Sequence, residues 1–234
     1  MVDFPYPLVT VRGEAALAQW EVLRAGDDGY PVIVGDDDAL ARLAEGLALD
    51  GPFDPAVTLE AASVLSGPSS IHDYRRQQSE LYAALLGEEF AEEWVPELGD
   101  WPASAPQSPG LTVHLDLLSG QPHERVHIAL LPTSQGWEAP AYLRYGGWNE
   151  CPPPEHHVAM LRSWHERYGA ELVGISSDMV NVRAATRPQT RDEALGLARE
   201  QYAYCADIVD QGVQNLSALA AGLMADDWWF FWWD

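Results

Sequence analysis

Short apolar runs alternate with amphipathic stretches over the first fifty residues, and this pattern predicts two strand–helix units. An apolar run at 8–11 precedes a helical pattern at 14–24, and a run at 30–34 precedes a second helical pattern at 39–49. Three aspartates at 36–38 lie where carboxylates cap free backbone N–H groups and complement a helix dipole. Capping explains the triplet, and the alternative is a site for a hard cation, although three consecutive side chains cannot all converge on one ion.

A helical segment and a stretch rich in proline and serine follow. The helical patterns lie at 55–65, 71–86 and 88–94. The proline- and serine-rich stretch at 101–110 is typical of a linker. We therefore predict an N-terminal strand–helix region with a helical segment at 1–100, a linker at 101–110, and a C-terminal domain at 111–234.

The C-terminal part begins with strand patterns and continues with a helix. Apolar and polar residues alternate over 111–117, and a clear strand pattern covers 125–131. Three prolines at 152–154 are suited to the start of a helix. Gly169 is expected to end that helix as a C-cap residue.

Two strands and two helices follow, and the second helix is predicted after Gly212, with Leu216, Leu219, Ala220 and Leu223 on its apolar face. The strands are predicted at 171–177 and 179–185. A capping-box pattern that begins at Thr190 starts the longest helix, whose apolar stripe extends to Val209 before a break at Gly212.

Six consecutive aromatic residues, at 228–233, form the last predicted strand. Such a strand presents rings to both faces of a sheet, which suits a strand covered by helices better than an exposed edge. We predict that it is buried and lies inside the sheet rather than at its edge. The expected fold is α+β: a mixed β-sheet of about five or six strands, flanked by helices.

Charge restricts the partners that the surface can bind. Thirty-six acidic residues against thirteen basic ones give a net charge of −23, which repels polyphosphate and anionic membrane surfaces. We therefore expect neither a nucleic-acid partner nor a membrane partner. All thirteen basic residues are arginines, and the absence of lysine excludes a lysine Schiff base, a Walker-type phosphate loop and a kinase catalytic lysine.

Cysteine use and hydropathy indicate the compartment. Cys151 and Cys205 are the only cysteines. The sequence shows no leader pattern and no apolar run of membrane-spanning length. It therefore predicts a cytoplasmic protein in which both thiols are reduced rather than joined in a disulfide.

Several short motifs occur together in the C-terminal half: VHIALLPT at 126–133, PAYL at 140–143, GGWNECP at 146–152, YGAE at 168–171, AREQY at 198–202 and WWD at 232–234. This combination resembles a bacterial family, the domain of unknown function DUF4253, over about 112–234. The resemblance implies that the C-terminal half forms one domain. It implies no reaction and no catalytic residue, and it leaves 1–110 unassigned.

The densest group of reactive and polar residues is the loop before the proline-started helix. This candidate binding loop comprises Tyr145, Gly146, Gly147, Trp148, Asn149 and Cys151. A helix N-terminus stabilises a nearby thiolate, and a histidine in reach of the thiol can act as a base. The candidate polar neighbours from the rest of the domain are His127, His156, His157, Asp178, Glu200 and Tyr204. The alternative, which we predict, is a structural loop that Trp148 anchors and in which the thiol is buried.

Histidines suggest two further candidate sets, neither with a spacing typical of metal sites. One set combines Cys151 with the histidines at 156, 157 and 165, and the other combines the histidines at 114, 123 and 127. We therefore predict no metal ion and no cofactor. His127 alternates with apolar residues and is expected to face solvent or a cleft.

Two function classes remain. The leading hypothesis is a non-catalytic acidic binding protein, inhibitor-like or immunity-like, whose partner is a basic protein, because negative charge speeds encounter with cationic partners. The alternative is an enzyme that acts on a small molecule through Cys151 and a nearby histidine. The sequence leaves the oligomeric state open.

Overall fold

A computed structural model describes residues 3–49, 51, 53–87 and 95–233. The strands are β1 Leu8–Val11, β2 Tyr30–Gly35, β3 Leu115–Asp116, β4 Gln121–Pro122, β5 Val126–Leu131, β6 Glu171–Ile175, β7 Met179–Arg183 and β8 Trp228–Trp232. The helices are α1 Ala16–Arg24, α2 Asp37–Ala48, α3 Pro55–Ser63, α4 Pro68–Leu86, α5 Ala139–Leu143, α6 Pro154–Tyr168, α7 Arg191–Tyr204 and α8 Leu216–Ala225, with 3-10 turns at Gly13–Ala15 and Gly136–Glu138 and a π-helical turn at Ile208–Val213. The helical pattern predicted at 88–94 lies outside the described residues.

The main sheet has six strands in the order β1-β5-β2-β6-β7-β8, which confirms the predicted α+β fold with a mixed sheet. Only β2 and β6 pair in parallel, with Ile33 opposite Gly174, and all other neighbours are antiparallel. Strands β1, β2, β6 and β8 therefore run in the same direction, and their carboxyl ends lie at one edge of the sheet. The sheet takes strands from both sides of the stretch at 101–110.

The aromatic strand β8 is buried as predicted, but it is an edge strand, so its predicted position inside the sheet is wrong. Trp229, Phe231 and Trp233 are buried, whereas the alternate rings are only half-buried. Side chains from other segments cover the free edge: Ser108 Oγ donates to the carbonyl of Trp228 (3.1 Å), and Cys205 Sγ donates to that of Trp232 (2.9 Å). An edge strand can therefore be buried when loops and helices, rather than another strand, bond to it.

The inward rings of β8 pack on helices α6 and α7. Trp164 stacks on Phe231 with ring centroids 5.5 Å apart, and it meets Trp229 edge-on at 5.6 Å. Tyr204 meets Phe231 edge-on at 5.0 Å. This aromatic layer fixes α6 and α7 against the sheet, and it thereby places the start of α6 beside the end of α7.

The local signals in the sequence act as expected at several helix ends. Asp36 Oδ1 accepts a hydrogen bond from the backbone N–H of Ala39 (2.9 Å), which confirms the capping role of the first aspartate. Thr190 accepts from the N–H of Glu193 (3.2 Å) at the start of α7. Gly169 ends α6 in the left-handed conformation, with φ 61°.

Two sequence predictions are corrected. Helix α7 ends at Tyr204 instead of continuing to Val209, because Cys205 takes an extended conformation (φ −148°, ψ 98°) and a π-helical turn follows. The alternating stretch 111–117 is a strand only at Leu115–Asp116.

The buried side chain of Asn181 replaces the missing strand pairing at 111–117. Its Oδ1 accepts from the backbone N–H groups of Thr112 (3.0 Å) and Val113 (3.1 Å), and its Nδ2 donates to the carbonyl of Gly110 (3.2 Å). The backbone groups of this segment are thus satisfied by a carboxamide instead of a β-ladder.

Candidate functional site

The loop before α6 is held in an unusual backbone conformation. Arg144, Gly146, Gly147 and Asn149 all have positive φ, at 48°, 112°, 86° and 45°. A Cβ at Gly146 would lie 2.1 Å from the carbonyl oxygen of Pro152, so only glycine fits there. Clusters of such conformations persist only where the surroundings determine them, and they are frequent at functional sites.

Backbone hydrogen bonds close this loop into a tight turn. The N–H of Gly147 donates to the carbonyls of Cys151 (3.2 Å) and Pro152 (3.0 Å), and the N–H of Cys151 donates to the carbonyl of Trp148 (2.8 Å). The turn points the Cys151 side chain inwards, where it is buried.

The structure brings Cys151, His157 and Tyr204 together in a buried chain of three polar groups. His157 Nε2 lies 3.3 Å from Cys151 Sγ, and His157 Nδ1 lies 2.5 Å from the hydroxyl of Tyr204. The first turn of α6 supplies the imidazole, and the last residue of α7 supplies the phenol. We call this set the buried polar chain.

Burial keeps all three groups of the buried polar chain neutral. Loss of solvation lowers the pKa of His157 to about 3, and it raises the pKa of Cys151 and of Tyr204 above their ordinary values. A catalytic thiol needs the opposite shift, because the thiolate is the nucleophile. The contact therefore has the spacing of a cysteine–histidine pair without its electrostatics.

Aromatic rings surround the buried polar chain. Tyr145 packs edge-on against Trp148 (4.9 Å), His157 (5.2 Å) and Trp233 (6.2 Å). The hydroxyl of Tyr145 is buried and has no hydrogen-bond partner among the described residues. Trp148 is half-buried on this cluster, in the anchoring position that the structural interpretation of the loop predicts.

The other predicted neighbours lie elsewhere. The ring of His156 packs on Tyr74, with centroids 4.8 Å apart. Glu200 forms an ion pair with Arg167 and accepts from Trp164 Nε1 (3.2 Å).

Asp178 and His127 lie at the edge of the sheet where β1, β2, β6 and β8 end. Asp178 Oδ1 accepts from the hydroxyls of Ser176 (3.3 Å) and Ser177 (3.1 Å). His127 is buried, and its Nδ1 lies 3.0 Å from Thr10 Oγ1. These two residues therefore belong to a second candidate site.

A cleft opens at this edge, at the carboxyl ends of the parallel neighbours β2 and β6. We call it the carboxyl-edge cleft; its volume is about 220 Å³, and the lining residues that matter here are Asp36, Arg42, Asp116, Leu117, Leu118, His123 and Asp178. A shallower groove of about 290 Å³ adjoins it, lined by the aspartates at 36–38 with His123, Glu124 and Arg125. The sequence offered one signal for this site, an acidic residue shortly after each of two predicted strands.

A hydrogen bond and two ion-pair contacts hold the carboxylates of Asp36 and Asp37 beside the cleft. His127 Nε2 lies 2.8 Å from Asp37 Oδ1, and Arg125 Nη1 lies 3.2 Å from Asp37 Oδ2. The hydrogen bond with His127 and the charge of Arg125 lower the pKa of Asp37. His123 Nδ1 lies 3.6 Å from Asp36 Oδ2. The carboxylate of Asp37 therefore stays ionised at neutral pH.

The tip of the β3–β4 hairpin forms one wall of the cleft. Leu117 is 57% exposed, and Leu118 is fully exposed. Asp116 Oδ1 accepts from the backbone N–H of Ser119 (2.8 Å) and thereby closes the hairpin turn. The wall therefore presents two leucine side chains to solvent next to a carboxylate.

Two features are absent from the described part of the chain. No three or more His, Cys, Asp or Glu side chains there are arranged to hold a metal ion. No helix there is long and apolar enough to cross a bilayer.

Comparison with known proteins assigns the C-terminal part alone. No curated protein and no solved structure matches the chain significantly. The model of the family described as domain of unknown function (DUF4253) matches residues 127–234. This segment contains the buried polar chain and Asp178, whereas Asp36 and Asp116 lie before it. The resemblance read from the motifs is confirmed: residues 127–234 of the chain are similar to the DUF4253 family.

Proposed function

We propose that this protein is a non-catalytic binding protein, and that its carboxyl-edge cleft receives a basic segment of a partner protein that also carries apolar side chains. The observation that carries the proposal is the pairing, in one cleft, of carboxylates with two exposed leucines.

The charge of the cleft favours a cation. Six carboxylates and two guanidinium groups line the cleft and the adjoining groove. One of the two guanidinium groups, that of Arg125, already pairs with Asp37. Asp116 and Asp178 have no cationic partner among the described residues. The net charge of −23 attracts cationic partners to the protein as a whole, and the local excess of carboxylates favours their binding at this cleft.

The leucines supply the apolar part of the contact. Burying exposed apolar surface against a partner is favourable, at about 25 cal/mol per Å² removed from water. Leu117 and Leu118 lie directly after Asp116 in this tip. A segment that alternates basic and apolar residues would satisfy the carboxylates and cover the leucines together.

The position of the cleft also supports binding. In open α/β sheets, ligands bind outside the carboxyl ends of the strands. Here β2 and β6 are parallel neighbours, and the segments that follow them supply Asp36 and Asp178. We retain a basic protein as the proposed partner. We also retain the predictions that the protein is cytoplasmic and that it has no nucleic-acid partner.

An enzyme that uses Cys151 is the second candidate, because His157 lies within 3.3 Å of the thiol. Three properties oppose it: the thiol is buried, its pKa is raised, and the pKa of the imidazole is lowered to about 3. A neutral, enclosed pair of this kind suits a structural role better than nucleophilic catalysis.

Fluorescence anisotropy with a defined peptide tests the binding proposal. The probe is a fluorescein-labelled peptide of alternating lysine and leucine, and its matched control replaces each lysine by glutamate. We expect the basic peptide to bind, more weakly at high salt, and the acidic peptide not to bind. Exposed charge pairs contribute modestly, so the double variant Asp116→Asn, Asp178→Asn should weaken binding by about 2- to 30-fold.

A control variant that removes two carboxylates elsewhere on the surface distinguishes binding at the cleft from non-specific attraction to the negative charge of the protein. Asp28 and Asp100 are exposed and form no ion pair with described residues, so Asp28→Asn, Asp100→Asn removes the same charge elsewhere. We expect this control to bind the basic peptide nearly as the native protein does, and Leu117→Ser, Leu118→Ser to bind it more weakly. Equal loss in both charge variants, or no binding by the native protein, would disprove the proposal.

A further inference from the structure

A second pocket, separate from the carboxyl-edge cleft, lies where helix α4 packs on helix α7. Its volume is about 490 Å³, which falls within the range of small-molecule sites in proteins. Val95, Pro96 and Leu98, together with Leu216 at the start of α8, complete its described walls. We call it the α4–α7 pocket.

The two helices face the α4–α7 pocket with polar and aromatic side chains at helical spacing. The lining residues on α4 are His72, Arg75, Arg76, Ser79 and Glu80. The lining residues on α7 are Arg199, Tyr202 and Ala203. Positions three or four apart share one face of a helix, so each helix presents a single face to the pocket.

The α4–α7 pocket concentrates positive charge in a strongly acidic protein. Three of the thirteen arginines line it, against one carboxylate, that of Glu80, among the described lining residues. Arg76 pairs with Asp73 (2.8 Å) and lies 3.8 Å from Glu80, and exposed pairs of this kind are weak. Arg199 forms no ion pair with any described residue. The guanidinium of Arg199 can therefore pair with an anion.

The third arginine of the pocket, Arg75, carries a buried charge. It is only 2% exposed. Its Nε donates to the carbonyl of Ala203 (2.8 Å) and its Nη2 to that of Tyr204 (3.0 Å), so the guanidinium holds α4 against the end of α7. Burial lowers the pKa of Arg75, because the charged form loses solvation. An anion in the pocket would favour the charged form and offset part of this loss.

An apolar wall lies beside these arginines. It consists of Val95, Leu98 and Leu216, and Val95 and Leu98 are exposed. Two backbone hydrogen bonds fix it to the start of α8: the N–H of Leu216 donates to the carbonyl of Glu97 (2.9 Å), and that of Ser217 donates to the carbonyl of Leu98 (2.9 Å). A few charged groups next to apolar side chains are typical of a site for a small organic molecule.

We propose that the α4–α7 pocket binds a small carboxylic acid with an apolar body. The carboxylate pairs with Arg199, since a guanidinium matches a carboxylate through two parallel N–H bonds, and the body packs on the apolar wall. The net charge of −23 permits this, because exposed charges farther apart than about 8 Å are largely screened at physiological ionic strength. A phosphate dianion suits the pocket less well, because the carboxylate of Glu80 lies beside Arg76.

Isothermal titration calorimetry with two probes of one shape tests this inference. Cinnamate carries a carboxylate, and cinnamamide has the same body without the charge. We expect cinnamate to bind saturably, and more weakly at high salt. We expect cinnamamide to bind at least about 2-fold more weakly than cinnamate, because it cannot form the ion pair.

Variants locate the site. Arg199→Gln should weaken binding of cinnamate by about 2- to 5-fold, as expected for the loss of an exposed ion pair. Arg12→Gln is the matched control and should leave the affinity unchanged, because Arg12 is also exposed, forms no ion pair with described residues and does not line the pocket. Leu98→Ser removes part of the apolar wall and should weaken binding of both probes. Each of three results would overturn the inference: no saturable binding of cinnamate; equal affinity for cinnamamide; or equal loss of affinity in Arg12→Gln and Arg199→Gln.

Discussion

Replacement of Tyr204 by phenylalanine removes one oxygen atom from the buried polar chain formed by Cys151, His157 and Tyr204. That oxygen lies 2.5 Å from His157 Nδ1, and all three side chains are buried. Because water cannot reach the imidazole, Tyr204→Phe leaves its Nδ1 without a partner. The change therefore isolates the contribution of this hydrogen bond to the free energy of unfolding.

The expected loss follows from the burial of both partners. An unsatisfied buried polar group costs about 1–3 kcal/mol. In a chain of this length, a loss of that size lowers the melting temperature by about 2–12 °C.

Tyr145 provides a matched control in the same cluster. It is also a buried tyrosine, its ring lies 5.2 Å from that of His157, and its hydroxyl has no partner among the described residues. Tyr145→Phe removes the same atom without breaking a described hydrogen bond. We expect the free energy of unfolding to stay unchanged or to rise, since a buried hydroxyl without a partner is itself unfavourable.

Urea denaturation followed by tryptophan fluorescence compares the two variants with the native protein. Equal m-values would show that the unfolded states are alike, so that the midpoints report stability. If Tyr145→Phe were as destabilising as Tyr204→Phe, the hydrogen bond with His157 would not be the cause, and the structural role of the buried polar chain would be refuted.

Three further predictions concern pH, the last strand and nucleic acid. Burial lowers the pKa of His157 from 6.5 to about 3, so between these values the unfolded chain binds a proton at this residue that the native protein does not; the contribution of His157 to stability should fall by up to about 1.4 kcal/mol per pH unit as the pH drops below 6.5, and urea titrations should show a correspondingly smaller loss of stability with falling pH for His157→Gln. Truncation after Ala225 removes three buried aromatic side chains, worth about 3–5 kcal/mol each, and should cause aggregation in size-exclusion chromatography; a monodisperse product would contradict this. Gel shifts with DNA or RNA should be absent at physiological salt, because 36 acidic residues oppose phosphate; a salt-dependent shift would contradict this.

Local sequence signals predicted most of the fold because they act over a few residues. Capping at Asp36 and Thr190, the prolines before α6 and the glycine after it are each decided by neighbours in sequence. The strands β1, β2, β5, β6 and β7 likewise carry their own apolar pattern.

The sequence predictions were wrong where residues distant in the sequence determine the local structure. The stretch 111–117 has a strand pattern, yet the carboxamide of Asn181, about seventy positions later, satisfies its backbone. The edge position of β8 depends on Ser108 and Cys205, which bond to its carbonyls from two other segments. The pattern of apolar and polar residues along the chain contains no signal for either contact.

The candidate loop was visible in the sequence because glycines, an aromatic residue and a cysteine are adjacent there, and His157 follows six positions after Cys151. Its electrostatics were not visible, since the pKa shifts depend on burial by α7 and β8. The carboxyl-edge cleft was missed because its residues come from four separate segments, which only the sheet order brings together.

Our central proposal is that Cys151 has a structural role and that the protein acts by binding rather than by thiol chemistry. The rate of native-state alkylation by iodoacetamide, measured for each cysteine by mass spectrometry at neutral pH, tests it most directly. Because both thiols are buried and both have raised pKa values, we expect slow labelling of Cys151 and Cys205 alike, and fast labelling only in denaturant. Rapid labelling of Cys151 but not of Cys205, suppressed by a bound metabolite, would contradict the claim and favour an enzyme.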